Sequence, residues 1–170
     1  MKKLLIIGQG KHGKDELARI LLENHGRTYM SSSQFACDEF IYEALKDEYG
    51  YSSPEECHID RHNHRDLWFN MISDYNKEDP ARLAKNLLSK VDVYVGMRSA
   101  VELAKCKEEG LFSAIIWVDA SKRVDYREPV SSNQITEEDA DVVMENNGSI
   151  AQFETNTAML VNEVFPHVGA

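Results

Sequence analysis

No stretch of this sequence approaches the ~20 consecutive apolar residues of a membrane-spanning helix. Its opening apolar run is only Leu4 to Ile7. Glycines and charges follow that run, so "MKKLLIIG" lacks the h-region of a signal peptide despite its basic start. Positive charge is also scarce: 19 Lys and Arg stand against 29 Asp and Glu, a formal net charge of −10. A protein that grips duplex nucleic acid carries a basic face to neutralise phosphates, and this balance argues against one. A small anionic ligand stays open, because a few local arginines offset a global charge. Cysteine is sparse and odd in number: Cys37, Cys57 and Cys106 make no paired framework and suit reduced thiols in a reducing compartment. Repeats and low-complexity linkers are missing. The expectation is a soluble cytoplasmic protein, monomer or homodimer, with neither a membrane nor a nucleic-acid polymer as partner.

What is present suits one compact domain of 170 residues, 42% hydrophobic and 28% charged. Apolar runs alternate with helical periodicity, the pattern of an α/β domain. Strands are expected at Leu4–Ile7, Arg27–Ser31, Asp92–Gly96, Phe112–Val118 and Asp141–Glu145. Helices are expected over Asp15–Asn24, from a Ser33 cap to Tyr49-Gly50, over Asn63–Tyr75, from Asp79-Pro80 to Lys90, over Ser99–Glu109, and after a Ser149 cap. Tyr51 to His64 reads as a polar loop, and 120–139 as a charged segment without apolar period. The sum is a three-layer α/β/α sandwich on a five-stranded parallel sheet.

The chemistry concentrates in "GQGKHGKDE", between the first strand and the first helix. Gly8, Gly10 and Gly13 let the backbone curl so that N–H groups, including those of Lys11 and His12, point inward at phosphate oxygens. The helix that follows adds its positive end at Asp15 and Glu16, and Lys14 reaches toward the β- and γ-phosphates. A Gly-rich strand-to-helix turn with no ligand is the bland alternative. Asp15 stands where Ser or Thr is usual in a phosphate loop. Its carboxylate can hold magnesium directly or through water, or it is simply a first-turn acid that stabilises its helix. An acid at the end of the third strand, the usual magnesium partner, is missing: Val95 and Gly96 occupy the place.

Ligands of open α/β sheets bind beyond the carboxyl ends of the strands. Arg98 follows the third strand, where a guanidinium grips phosphate. Glu102 lies four residues on and is expected to orient Arg98, unless the two are a surface pair. Arg123 and Arg127 are also four apart, in a segment placed to close as a lid over the transferring group, or to be a solvated loop.

"GKD" at Gly13–Asp15, "GMRSAVEL" with Arg98 and Glu102, and "DVVMENNGS" with Asn146 to Gly148 together resemble the P-loop nucleoside monophosphate kinases. The likeness is strongest to the deoxynucleoside monophosphate kinases of tailed phages. The motifs touch the first 25 and last 80 residues, and one departs: that family often has an acid where Gly96 stands. The resemblance implies a P-loop NTP hydrolase-type fold with strand order 2-3-1-4-5. It implies a core of 1–31 and 91–170, an acceptor-binding insertion over about 32–90 and a lid over about 119–140. It implies transfer of the ATP γ-phosphate to a nucleoside monophosphate with magnesium, in host cytoplasm if phage-encoded. Arg65 and then Arg61 are the expected acceptor contacts in the insertion, beside Arg98 and Glu102. Trp68, Phe69 and Tyr75 are able to stack on a base, although Trp68 and Tyr75 sit at core spacing.

"CHIDRHNH" gathers Cys57, His58, Asp60, His62 and His64, and His58 and His62 are spaced to share a metal on one helix face. No second cysteine pair completes a zinc pattern, so a polar acceptor-side loop is the other reading. Two further functions stay open at this point: a P-loop kinase of another metabolite, of the dephospho-coenzyme A or sugar-acid type, and a nucleotide-binding module without transfer.

Overall fold

The computed structural model describes residues 2–165. Five strands form one sheet in the order β2-β3-β1-β4-β5, with every neighbouring pair parallel. They are β1 (Leu4–Ile7), β2 (Tyr29–Ser31), β3 (Val93–Val95), β4 (Ala114–Asp119) and β5 (Val142–Glu145). Side chains of a strand alternate between faces, and β1 feeds both: Leu5 and Ile7 join one core, Leu4 and Ile6 the other. All four are buried, each contributing roughly 1.5–3 kcal/mol. This two-sided burial explains why β1 is a continuous apolar run and not an alternating one.

Helices α1 (Lys14–His25) and α8 (Ile150–Val164) cover one face through Leu17, Leu21, Phe153 and Leu160. The other face is covered by α2 (Ser32–Ala36), α3 (Tyr42–Tyr49), α4 (Pro54–Asp60), α5 (Arg65–Tyr75), α6 (Arg82–Leu88) and α7 (Ala100–Glu108). Helices α2 to α6 all lie between β2 and β3 in the chain. The three layers and the strand order expected from the sequence are therefore present. No helix among the described residues is long and apolar enough to cross a membrane.

Four local expectations are corrected. Ser31, not Ser33, caps the second helix: its hydroxyl accepts from Gln34 N–H at 3.0 Å. That helix runs into α3 through a π-helical turn over Cys37–Ile41. The expected loop 51–64 contains α4, capped by the Ser53 hydroxyl, which accepts from Glu56 N–H, with Pro54 in the first turn. Helix α6 starts at Arg82; Asp79 instead closes the preceding turn by accepting from Ala81 N–H at 3.0 Å.

Glu102 does not orient Arg98. Ser99 caps α7 and is extended (φ −92, ψ 122), so Arg98 precedes the helix and the one-turn spacing does not apply. Glu102 turns into the core, where it is 2% exposed and accepts from Tyr94 O–H at 2.9 Å. Burial pushes its carboxyl up to about 8, opposed by the tyrosine hydrogen bond.

The β1–α1 turn runs close beneath β4. Gly8 has φ +145, and a Cβ there would stand 2.7 Å from the Val118 carbonyl oxygen. Both the dihedral and the backbone clash require glycine. Gly8→Ala is expected to cost ~2–4 kcal/mol, measured as a drop in the denaturant midpoint. A second prediction concerns pH. Because the folded Glu102 pKa lies above the unfolded value, stability falls as pH rises from about 4.5 through about 8. Glu102→Gln should flatten that fall in Tm across the same window.

Candidate functional site

The phosphate loop spans residues 8–13, with α1 beginning at Lys14. Gly13 has φ +99, and a Cβ on it would overlap the Asn146 amide. Lys11 also takes a left-handed φ, +66, which non-glycine residues adopt rarely and usually at functional turns. The turn after β5 braces the loop: Asn146 Nδ2 donates to the His12 carbonyl at 3.0 Å. The start of the 120–139 segment braces it again, through Ala120 N–H donating to His12 Nδ1 at 3.1 Å. That bond assigns the His12 proton to Nε2, which is buried and has no partner among the described residues. Burial holds the His12 pKa below its ordinary value, consistent with a neutral ring.

Lys14 folds across its own loop and donates to the carbonyls of Gly8 (3.0 Å) and Gln9 (2.7 Å). Burial pulls its ammonium down to about 8, against the raising effect of Glu128. Asp15 lines the main cavity beside Lys14, is exposed, and makes no side-chain hydrogen bond among the described residues. Glu16 is spent elsewhere: its carboxylate accepts from Arg19 at 2.5 and 3.0 Å, so only its backbone is left for a phosphate.

The main cavity, about 960 Å³, opens between the phosphate loop, the end of β3, helices α4 and α5, and the 120–139 segment. Three expected arginines meet there: Arg61, Arg65 and Arg98. Arg61 is held by its own helix end, donating from Nη1 to the His58 carbonyl at 2.6 Å. Arg65 and Arg98 converge on a residue the sequence reasoning missed. Glu128 Oε1 accepts from Arg65 Nη1 at 2.9 Å and from Arg98 Nη1. The Glu128 side chain is 1% exposed. The facing guanidinium of Arg98, with Lys14 behind it, keeps the carboxyl below its usual range despite burial. No sequence signal marks Glu128, since its partners lie 30 and 63 positions away.

The apolar wall of the cavity is Trp68, Phe69 and Ile72. Trp68 is buried, and its indole N–H has no partner among the described residues. Tyr75 is not part of this wall; it stacks on Phe40 with ring centroids 4.5 Å apart. The cavity thus joins a cationic floor (Lys14, Arg61, Arg65, Arg98) to an aromatic wall, which suits an anionic group attached to a flat or apolar body.

The arginines of the 120–139 segment part company. No helix runs through Arg123 to Arg127; the segment's one helical turn, a 3-10 turn over Glu137–Asp139, lies beyond them, so the two arginines share no helix face. Arg123 stays near the loop, its Nε donating to the Asn146 carbonyl at 2.5 Å. Arg127 does not line the main cavity; it lines a second one of about 620 Å³ with Gln9, His12, Trp117 and Glu137. Tyr126 packs where a Cβ on Gly10 would be, 2.8 Å from its ring edge. The segment therefore packs against the loop, through the Tyr126 ring at Gly10 and the Glu128 N–H donating to Gln9 Oε1 at 2.8 Å.

The Cys/His cluster disperses. Cys57 is buried, the His58 ring contacts the Ser33 hydroxyl at 3.0 Å, His62 meets Arg65 at 3.2 Å, and His64 meets Asp60 at 3.0 Å. Burial, then Arg61, holds His58 down at about 4, so its ring is neutral. Among the described residues no three His, Cys, Asp or Glu side chains assemble as a metal cluster.

No protein-family model matches the chain, and no curated protein matches it in sequence. Solved structures do. Shikimate kinase from Bacteroides thetaiotaomicron superposes with a TM-score of 0.52 at 10% identity, covering 96% of this chain and 98% of that one. Shikimate kinase from Acinetobacter baumannii, solved in complex with shikimate, gives 0.52 at 12% identity, covering 99% and 96%. At that identity the likeness is one of fold, and with the strand order and phosphate loop above it gives this chain the fold of the P-loop kinases.

Proposed function

We propose that this protein transfers the γ-phosphate of ATP to a nucleoside monophosphate, with a deoxynucleotide as the favoured acceptor. The observation that carries the reading is the meeting of Arg65 and Arg98 on Glu128, in one cavity lined also by Lys14 of the phosphate loop and by Trp68 and Phe69. An arginine pair suits a phosphate, and the aromatic wall suits a base. ATP would lie with its β- and γ-phosphates on the loop amides and Lys14. Asp15 would hold magnesium; what supports this is that it is exposed, free of side-chain partners among the described residues, and lines the cavity with Lys14. Magnesium binds through few carboxylates plus phosphate oxygens, so one carboxylate suffices, and the ion would neutralise charge on the transferring group. Catalysis then rests on positioning and electrostatics. Arg61, Arg65 and Arg98 aim the acceptor, and Arg123, at the loop's edge, faces the transferring group.

A second reading has its own support. The arginine pair already holds a carboxylate, that of Glu128, so an acid metabolite would suit it too, and shikimate kinases share the fold. A coupled ADP-release assay decides between them with ribo- and deoxynucleoside monophosphates, shikimate and gluconate as acceptors. Turnover with a monophosphate supports the first reading, and turnover with an acid alone replaces it. ATP binding without turnover on any acceptor would leave a nucleotide-binding module.

Lys14→Ala is expected to lower kcat by on the order of 10²–10³-fold; wild-type rates would remove the core of the reading. Arg98→Ala should raise the acceptor KM by roughly 10–100-fold, the loss of a charge-assisted contact, with the ATP KM little changed. Movement of the ATP KM alone would reassign Arg98.

A further inference from the structure

Glu128 lies outside every residue the kinase reading assigns, yet it is among the most firmly fixed side chains of the cavity. Its backbone N–H donates to Gln9 Oε1 at 2.8 Å, in the phosphate loop. Oε1 takes both arginines, and Oε2 accepts from Asn133 Nδ2 at 3.1 Å. Asn133 is itself buried and fixed, its Oδ1 accepting from Ile135 N–H at 3.2 Å. The same segment grips the turn that carries Arg98: Gln134 N–H donates to the Arg98 carbonyl at 2.9 Å, and its side chain accepts from Ala100 N–H at 3.2 Å. The Glu128 carboxyl carbon lies 3.6 Å from where a Cβ on Gly10 would stand. One residue thus touches the phosphate loop, both arginines and the lid's interior.

A guanidinium has five N–H donors in a fixed fork. Arg98 gives one nitrogen to Glu128; Arg65 gives one to Glu128 and one to His62. Their side chains remain 35% and 32% exposed, so donors are left toward the cavity. Two unrestrained arginines this close would repel each other and sample many rotamers; a shared buried carboxylate removes both problems.

We propose that Glu128 is a positioning residue: it locks Arg65 and Arg98 into one clamp for the acceptor's anionic group and sets the distance from that clamp to the phosphate loop. The proposal rests on the kinase reading for its consequence in turnover, but not for the clamp itself. Misplacing an acceptor by ~1 Å costs on the order of 10²-fold in rate, so the clamp's placement bears directly on transfer.

The test has a ligand-free arm and a binding arm. In ¹⁵N-arginine NMR spectra of the unliganded protein, the Arg65 and Arg98 side-chain signals should be sharp and slow to exchange in wild type, and broadened in Glu128→Gln. Calorimetry with each deoxynucleoside monophosphate and with inorganic phosphate should show affinity falling about 10–100-fold in Glu128→Gln, with ATP affinity within about threefold. Glu128→Asp, which keeps the charge, should recover part of the loss. Thermal unfolding checks that each variant is folded, and Glu128→Asp carries the test if Glu128→Gln is not. Unchanged arginine signals overturn the proposal. Tighter phosphate or monophosphate binding also overturns it, since Glu128 would then be a competitor of the acceptor. Arginine signals lost as expected, with phosphate binding weakened but no monophosphate turned over by wild type, would uphold the clamp and sink the nucleotide-kinase reading alone.

Discussion

A carboxylate with one hundredth of its side-chain surface exposed organises the charged half of this molecule. Taking an unpaired carboxylate out of water costs several kcal/mol, and removing one partner of a buried pair is correspondingly destabilising. Glu128 is tolerable only because Arg65, Arg98 and Asn133 meet its oxygens and Lys14 lies close behind. The dependence is mutual. Lys14, Arg61, Arg65 and Arg98 all line one cavity of a chain whose overall charge is −10. Without an internal anion, four cations at that spacing would repel one another, and burial already draws the Lys14 ammonium down. The global acidity does nothing for this, because charges beyond a Debye length are screened. The compensation has to be local, and Glu128 supplies it.

The same residue helps to hold the 120–139 segment against the loop. Irregular backbone has few internal hydrogen bonds to hold it. Here it is held by outside partners: Gln9 takes the Glu128 N–H, Arg98 the Gln134 N–H, Asn147 the Lys122 N–H. The turn after β5 works from beneath, with Asn146 reaching His12 and Asn147 reaching Asp119. The loop, the 120–139 segment and the β5–α8 turn are thus one hydrogen-bonded unit built from three separate pieces of chain.

The parts that were legible in the sequence are those set by local chemistry. Continuous apolar runs gave β1 and β4, since strands buried on both faces need no alternation. Ser149 caps the last helix where hydroxyl chemistry puts it, whereas Ser99, read as the first residue of a helix, stands just outside it as the cap. Helix α4 was missed although "SSPEE" carries a start signal. Only Cys57 of that helix is buried, so no apolar period announced it. The two arginine expectations that failed share one cause. One-turn spacing places side chains together only inside a helix, and neither Arg98 nor the Arg123–Arg127 pair is in one. Glu128 was illegible for a different reason: nothing in its neighbours' sequence can report partners that the topology brings from β3 and α5.

The question of the missing third-strand acid has a backbone answer. Gly96 has φ +84, a conformation that a carboxylate-bearing residue adopts with strain. It is pinned there from two sides, its N–H donating to the Ile6 carbonyl at 2.9 Å and its carbonyl accepting from Ser32 O–H at 2.9 Å. The cavity's negative charge near the loop is therefore carried by Asp15 at the exposed rim and Glu128 at the buried base. Those two positions do different work. The Asp15 side chain is exposed and makes no hydrogen bond among the described residues. The buried Glu128 is committed to the cations around it. Between the two lies the cationic floor of Lys14, Arg61, Arg65 and Arg98, so the compensation that Glu128 gives from beneath leaves those side chains together in one cavity of an acidic chain.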